Sequence, residues 1–419
     1  MNMRNRVAAA LATPGRAVSG SLEPREFLQE AGDRRFQPAG DEGRAHALGA
    51  SARIDGEGGT GDDGRAVSMY GRAAMQGAAL DQFNLAVMYQ HGRGGVRGDA
   101  EAVALYRTAA ERGLAVAQFN LAVMYFDGRG VARDETLAAR WYHKAAMQGL
   151  ASAQFNLAVM YFDGRGVARD EAEAAFWFRK AAEQGDVEAQ YFLALSCLEG
   201  RGVAQDDVEA AHWFRQAAEQ GLACAQYNLG VSCSTGRGVA QDDIEAAHWY
   251  RKAAEQGHAG AQYSLGAAYC LGEGVAMDNI GGGIWLREAA AQGHICAQYN
   301  LGLMFVRGGG VGRDPGEAVS WFRKAAAQGN ASAKYYLGLM YASGHGVARD
   351  DKQAAIWFRE AAEEGNADGQ YGLALMCAHG RGVARNAALA AIWYQKAAAQ
   401  GHVRARNELR GLGAKAPGA

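Results

Sequence analysis

All eight tryptophans of this 419-residue chain stand on one lattice: Trp141, Trp177, Trp213, Trp249, Trp285, Trp321, Trp357 and Trp393, with 36 residues between neighbours. Ten glycines keep the same step from Gly77 to Gly401, and a glycine pair recurs in phase from Gly92/Gly94 to Gly380/Gly382. The stretch AQFNLAVMYFDGRGVARDE at 117–135 returns unchanged at 153–171. A period in this range marks an array whose repeats bury their apolar faces against one another. That constraint overrides the two to four separate domains which the length alone invites.

Each repeat reads as two helices. The first, such as 115–127, places Ala117, Leu121 and Met124/Tyr125 on one helical face. It stops at Gly128-Arg129-Gly130, where glycine supplies the left-handed conformation of a helix end. The second starts at an acidic cap: Asp170 followed by Glu173 has the spacing of a capping box. Asp314-Pro315 adds a proline at the first helical position, where its missing N–H costs nothing. Ala174, Trp177, Phe178 and Ala181 form the buried side of that helix, which ends at Gly185. Nothing alternates with period two, so no strand is expected.

Composition fits a packed helical array. The chain holds 58 glycines but only 5 prolines, with 17 Tyr, 14 Phe and 8 Trp to build a core. Disordered chains are aromatic-poor and proline-rich. A formal net charge of -2 argues against nucleic acid as a partner. No apolar run has the length of a membrane span.

The segments AQYNLG at 225–230, GRGV at 236–239 and AAHWYRKAAEQG at 246–257 resemble the Sel-one-like repeat (SLR), a relative of the tetratricopeptide repeat. The likeness runs over roughly 65–411. It implies an all-α fold, an α/α superhelical solenoid of about ten 36-residue helix pairs, serving as a protein-interaction scaffold. The expected division is a disordered arm at 1–41, a degenerate first repeat at 42–77, nine repeats over 78–401, a capping helix at 402–411 and a disordered tail at 412–419. In the cap, Ala405 and Leu409 stay in core phase while Arg406, Asn407, Glu408 and Arg410 make it polar.

In related tetratricopeptide arrays, the arc of the first helix opposite the core lines a concave groove. Here that arc carries an aromatic column: Phe83, Phe119, Phe155, Tyr191, Tyr227, Tyr263, Tyr299, Tyr335 and Tyr371. An aliphatic column runs beside it through Val87, Val123, Val159, Leu195, Val231, Ala267, Leu303, Leu339 and Leu375. Both columns fit a groove and fit core packing between helices equally well. Asparagines fill part of a third column at Asn84, Asn120, Asn156, Asn228 and Asn300, where an amide suits a peptide backbone or a neighbouring helix end. Asp127, Asp163 and Glu199 form an acidic rim, read either as a solvated edge or as a site for a basic residue. The partner expected of this groove is a protein or peptide segment with apolar anchors and a basic residue.

Chemistry that needs convergent side chains is not expected. His212 and His248 share one column and His258, His294 and His402 another, so neighbouring repeats hold them about a helix diameter, ~10 Å, apart. A zinc ion needs its ligands within ~2.3 Å. No metal, cofactor or catalytic residue is assigned, and the chain reads as a non-enzymatic monomeric adaptor; a hydrolase would need a polar site that breaks the lattice. The six cysteines lack the short spacing of the secreted, cysteine-rich relatives and read as small core or groove residues, compatible with the reducing cytoplasm. Arg4 and Arg6 precede only six apolar residues, Val7 to Ala12, short of the ~7–15 of a secretory signal. A secreted effector or cell-envelope factor with a secreted or periplasmic location is the alternative. Finally, Gly281-Gly282-Gly283 replaces Glu-Ala-Ala at a second-helix start. At about 1 kcal/mol per glycine, it predicts a weak turn or hinge near residue 280.

Overall fold

The computed structural model describes residues 60–93 and 98–413. The expected arm at 1–41, most of the repeat at 42–77 and all but the first two residues of the 412–419 tail lie outside them. The described residues form twenty helices and no strand, in two compact units that meet in sequence at Gln241/Asp242. The N-terminal unit contains α1 (Thr60–Met75), α2 (Ala79–His91), α3 (Asp99–Glu111), α4 (Ala115–Asp127), α5 (Glu135–Met147), α6 (Ala151–Asp163), α7 (Glu171–Ala182), α8 (Val187–Glu199), α9 (Asp207–Glu219) and α10 (Ala223–Thr235). The C-terminal unit contains α11 (Asp243–Glu255), α12 (Ala259–Leu271), α13 (Asn279–Ala291), α14 (Ile295–Arg307), α15 (Pro315–Ala327), α16 (Ala331–Ser343), α17 (Asp351–Glu363), α18 (Ala367–His379), α19 (Ala387–Ala399) and α20 (Val403–Gly413). Each unit is an α/α solenoid of stacked helix pairs.

The glycine-arginine-glycine turn does two different jobs. Gly128 caps α4 in the left-handed region at φ 71°, with its N–H on the Met124 carbonyl. Gly130, also left-handed, lies against the backbone of Asp99 and Ala100 at the start of α3, and a Cβ there would overlap both. The second glycine is therefore the surface on which one repeat seats on the previous one. Arginine between the glycines adds an ion pair across the same junction: Arg129–Asp99 at 3.3 Å, Arg165–Glu135 at 2.9 Å and, in the C-terminal unit, Arg381–Asp351 at 2.8 Å. Such half-exposed pairs contribute at most ~1 kcal/mol each. The backbone contact sets the register.

Inside most repeats a ring from the first helix meets a ring from the second, Leu286 taking the ring's place opposite Tyr263. Phe119 lies 5.6 Å from Tyr142, Phe155 5.8 Å from Phe178, and Tyr335 5.9 Å from Phe358. These tilted pairs gain beyond the area they bury. Buried glutamines stitch the repeats along the chain: Gln118 donates to the Ala110 carbonyl at 3.0 Å and accepts from Gln148 at 2.8 Å. The same ladder recurs at Gln298 with Gln328 in the C-terminal unit.

Two local expectations change. Asp170 does cap α7, accepting from Ala172 and Glu173 N–H at 2.9 and 3.1 Å. Glu173 does not complete a capping box, because the Asp170 N–H is already spent on the Tyr161 carbonyl; Glu173 instead accepts from the Trp177 indole at 3.2 Å. The weak turn expected at Gly281-Gly282-Gly283 is absent, and α13 runs unbroken with Gly282 and Gly283 buried. A Cβ on Gly282 would sit 2.5 Å from Cys270 Sγ and 2.8 Å from the Gly266 carbonyl. These glycines let α12 and α13 close. Helix propensity alone makes Gly282→Ala stabilising by about 1 kcal/mol, whereas overpacking costs ~1–3 kcal/mol. Packing should win, so thermal unfolding of Gly282→Ala is expected at lower temperature than wild type.

Candidate protein-binding face

In the N-terminal unit α4 and α6 are buried along most of their length. Eleven consecutive residues of α4, Val116 to Phe126, are buried. Phe83, Phe119, Phe155, Tyr191 and Tyr227 are all buried, most of them against the second-helix ring of their own repeat. In this unit the aromatic column is core, so its rings do not line an open groove. In the C-terminal unit Tyr263, Tyr299, Tyr335 and Tyr371 are half-buried. The aliphatic column is uneven: Val123, Val159, Ala267 and Leu303 are buried, Val87, Leu195, Val231 and Leu375 half-buried, and Leu339 is 37% exposed.

The asparagines depend on the ring one repeat earlier. Asn228 donates to the Tyr191 hydroxyl and Asn300 to the Tyr263 hydroxyl, both at 3.4 Å. Where that ring is a phenylalanine, the hydroxyl is missing. Asn120 follows Phe83 and Asn156 follows Phe119; Asn84 Nδ2, Asn156 Nδ2 and Asn120 Oδ1 are buried without a hydrogen-bond partner, and so is Asn300 Oδ1, although Asn300 Nδ2 reaches Tyr263. Asn156 also lies beside the buried Tyr142 hydroxyl, but without hydrogen-bond geometry. Each such half-amide costs roughly 1–3 kcal/mol.

The rim residues Asp127, Asp163 and Glu199 are exposed at the C-terminal ends of α4, α6 and α8. Negative charge at a helix C-terminus opposes the helix dipole, so neither helix geometry nor propensity accounts for it. Desolvation raises the Asp127 carboxyl pKa against the pull of Arg129 and Arg133. Glu199 pairs with Arg201 at 2.6 Å.

Ten consecutive segments, from 45–77 to 367–402, match the Sel1 repeat family model, and the chain belongs to that family. Two solved structures resemble it over most of their length. A protective antigen of uropathogenic Escherichia coli strains, with an SLR fold, is 35% identical, with 82% of this chain and 81% of that one covered and a TM-score of 0.68. A Sel1 repeat protein from Oxalobacter formigenes is 37% identical, with coverage of 73% and 88% and a TM-score of 0.58. No curated protein matches the sequence. Sel1 repeat proteins generally mediate protein–protein interaction, and the solenoid is generally a non-catalytic scaffold. Among the described residues no helix is long and apolar enough to cross a membrane, and no three metal-binding side chains converge. All six cysteines are unbridged.

The histidine column has a role that spacing does not suggest. His258, His294 and His402 are helix N-caps, with Nδ1 accepting from Ala261, Ala297 and Ala405 N–H at 3.1–3.2 Å. The signal is present in the column itself, which holds Asp186, Asn330 and Asn366 at equivalent positions, all good caps. Burial holds His258 and His294 down at about 4, and for His258 the second histidine adds to the effect. An unfolded histidine titrates near ~6.5, so between that pH and about 4 the unfolded chain takes up protons that the folded chain refuses. This stabilisation is complete above pH ~6.5 and is lost as pH falls towards 4, on the order of 2 kcal/mol per histidine. Chemical denaturation of the intact chain should show that loss, and His258→Asn with His294→Asn, which keeps a non-titrating cap, should remove most of it.

Proposed function

We propose that the chain is a non-enzymatic adaptor whose concave face holds a protein segment, with the N-terminal unit as the recognition half. The observation that supports this most directly is the set of orphaned asparagine amides. Asn84, Asn120 and Asn156 carry unfilled hydrogen-bond capacity next to Val123 and Val159. A natural core rarely retains buried polar atoms without partners, and such atoms concentrate where a ligand completes them. A bound backbone offers an N–H donor and a C=O acceptor at every residue, which matches both halves of an amide.

The rim extends the description of the partner. Asp127, Asp163 and Glu199 sit at one end of three stacked first helices and favour a basic residue. Asn228, Tyr227, Tyr299 and Asn300 continue the same columns, where Asn228 donates to Tyr191 and Asn300 to Tyr263 while Asn300 Oδ1 stays unpaired. The acidic rim concentrates the recognition chemistry over Phe83–Glu199. The partner is a segment with apolar anchors and at least one lysine or arginine.

Two variants test this on a partner identified by affinity purification, with binding measured by calorimetry. Asp127→Lys with Asp163→Lys is expected to weaken binding by about tenfold or more, most strongly at low salt. Asn120→Leu should raise the melting temperature, because it removes an unsatisfied buried oxygen, while weakening the partner. Unchanged affinity in both would remove the recognition role from this face.

A further inference from the structure

Arginine holds one position of the second helix in every repeat from Arg107 to Arg359 except one, where His143 of α5 stands. The guanidinium crosses to an acceptor on a neighbouring helix. Arg107, Arg251 and Arg323 donate to the tyrosine hydroxyl 18 residues on, at Tyr125, Tyr269 and Tyr341, each at 2.7 Å. Arg179 has Cys197 at that point and pairs instead with Glu209, 30 residues on. The repeat that lacks the arginine offers both acceptors at once, because Tyr161 and Glu173 stand at those two distances from His143. His143 turns edge-on to the Trp177 ring, with centroids 5.8 Å apart, and bonds to neither. Glu173 keeps the Trp177 indole at 3.2 Å but has no cation beside it.

The chain contains its own control for this difference. Residues 117–135 and 153–171 are identical, yet Tyr125, which lies under Arg107, is 7% exposed, whereas Tyr161 is only half-buried. Beside Tyr161 a cavity of about 520 Å³ opens between α5 and α6. Trp141, His143 and Tyr161 line it, and Leu157 and Val167 give it an aliphatic side of the kind that an arginine stem covers. We propose that this cavity is a docking site for an arginine side chain of a protein partner, held as the chain holds its own arginines, with Tyr161 and Glu173 as acceptors.

The local field suits a cation. Burial raises the Tyr161 hydroxyl pKa, and the nearby charges of Glu173 and Asp170 raise it further, which is the sign of a negative potential. A planar fork of N–H donors reaches two separate acceptors better than an ammonium does. Lys144, 4.0 Å over the Trp141 ring, is no obstacle. Lys252 and Lys324 sit in the same way over Trp249 and Trp321, at 4.6 and 3.9 Å, next to Arg251 and Arg323 that are in place. Arg140 lines the cavity but bonds to neither acceptor. Tyr161 lies on the arc of α6 opposite Asn156 and Val159, so this site does not depend on the concave face. It distinguishes one repeat from its near-identical copies and so gives a partner a fixed register on the array.

The 8 tryptophan indole N–H groups of the isotope-labelled full chain report on separate repeats by NMR. Titration with Nα-acetyl-arginine amide should shift the Trp141 and Trp177 signals saturably in the millimolar range and leave Trp321 in place. The neutral isostere Nα-acetyl-citrulline amide should shift none of them. His143→Arg supplies the missing side chain from within, so it should raise the melting temperature by about 2–4 °C and weaken the arginine titration about tenfold or more. Tyr161→Phe with Glu173→Gln should weaken the titration as much without that gain in stability. No shift with the arginine amide, equal shifts with citrulline, or undiminished binding to His143→Arg overturns the proposal. Free L-arginine binding about tenfold more tightly than the blocked amide also overturns it, because the cavity would then take an amino acid and not a protein side chain. None of these outcomes bears on the concave-face reading, which the rim and asparagine variants test separately.

Discussion

The seat of one repeat on the next is a backbone contact. At Gly130 and its equivalents the chain passes so close to the start of the preceding second helix that no side chain fits between them, and Gly166 and Gly274 meet Glu135 and Asp243 in the same way. Because the contact is between main chains, it is indifferent to what the variable positions hold. Arginines over the junction and glutamines along the ladder then fix the fine spacing.

The variable positions are where the two units diverge. A phenylalanine in place of tyrosine in the aromatic column removes one hydroxyl, and the asparagine of the next repeat loses its partner. The N-terminal unit combines apolar filling, orphaned amide atoms and an acidic rim; Asn228 there and Asn300 in the C-terminal unit each donate to a tyrosine hydroxyl, while Asn300 Oδ1 stays unpaired. The cost of leaving such an amide atom unpaired is comparable to that of a deleted hydrogen bond.

Much of the fold is legible in the amino-acid pattern. Glycine positions, aspartate caps and the tryptophan lattice place the helix pairs. Where the pattern misleads, the cause is the same each time: a neighbour distant in sequence. Glu173 has the spacing of a capping box but is drawn to Trp177, because a carbonyl nine residues back already uses the cap N–H. Gly281-Gly282-Gly283 reads as weakness by propensity but lies where two helices close on each other. Spacing keeps the histidines from converging on a metal, yet it does not disclose their capping role, although asparagine and aspartate share their column.

The repeat, its phase and its class are properties of the sequence alone, because glycine and capping residues act over three or four residues and their positions are visible in one dimension. Three matters are settled only in three dimensions: whether a ring faces core or groove, whether an amide finds a hydroxyl 37 residues away, and whether a glycine loosens or tightens its helix. Those outcomes depend on distances between separate helices, and a helical wheel of one helix contains none of them.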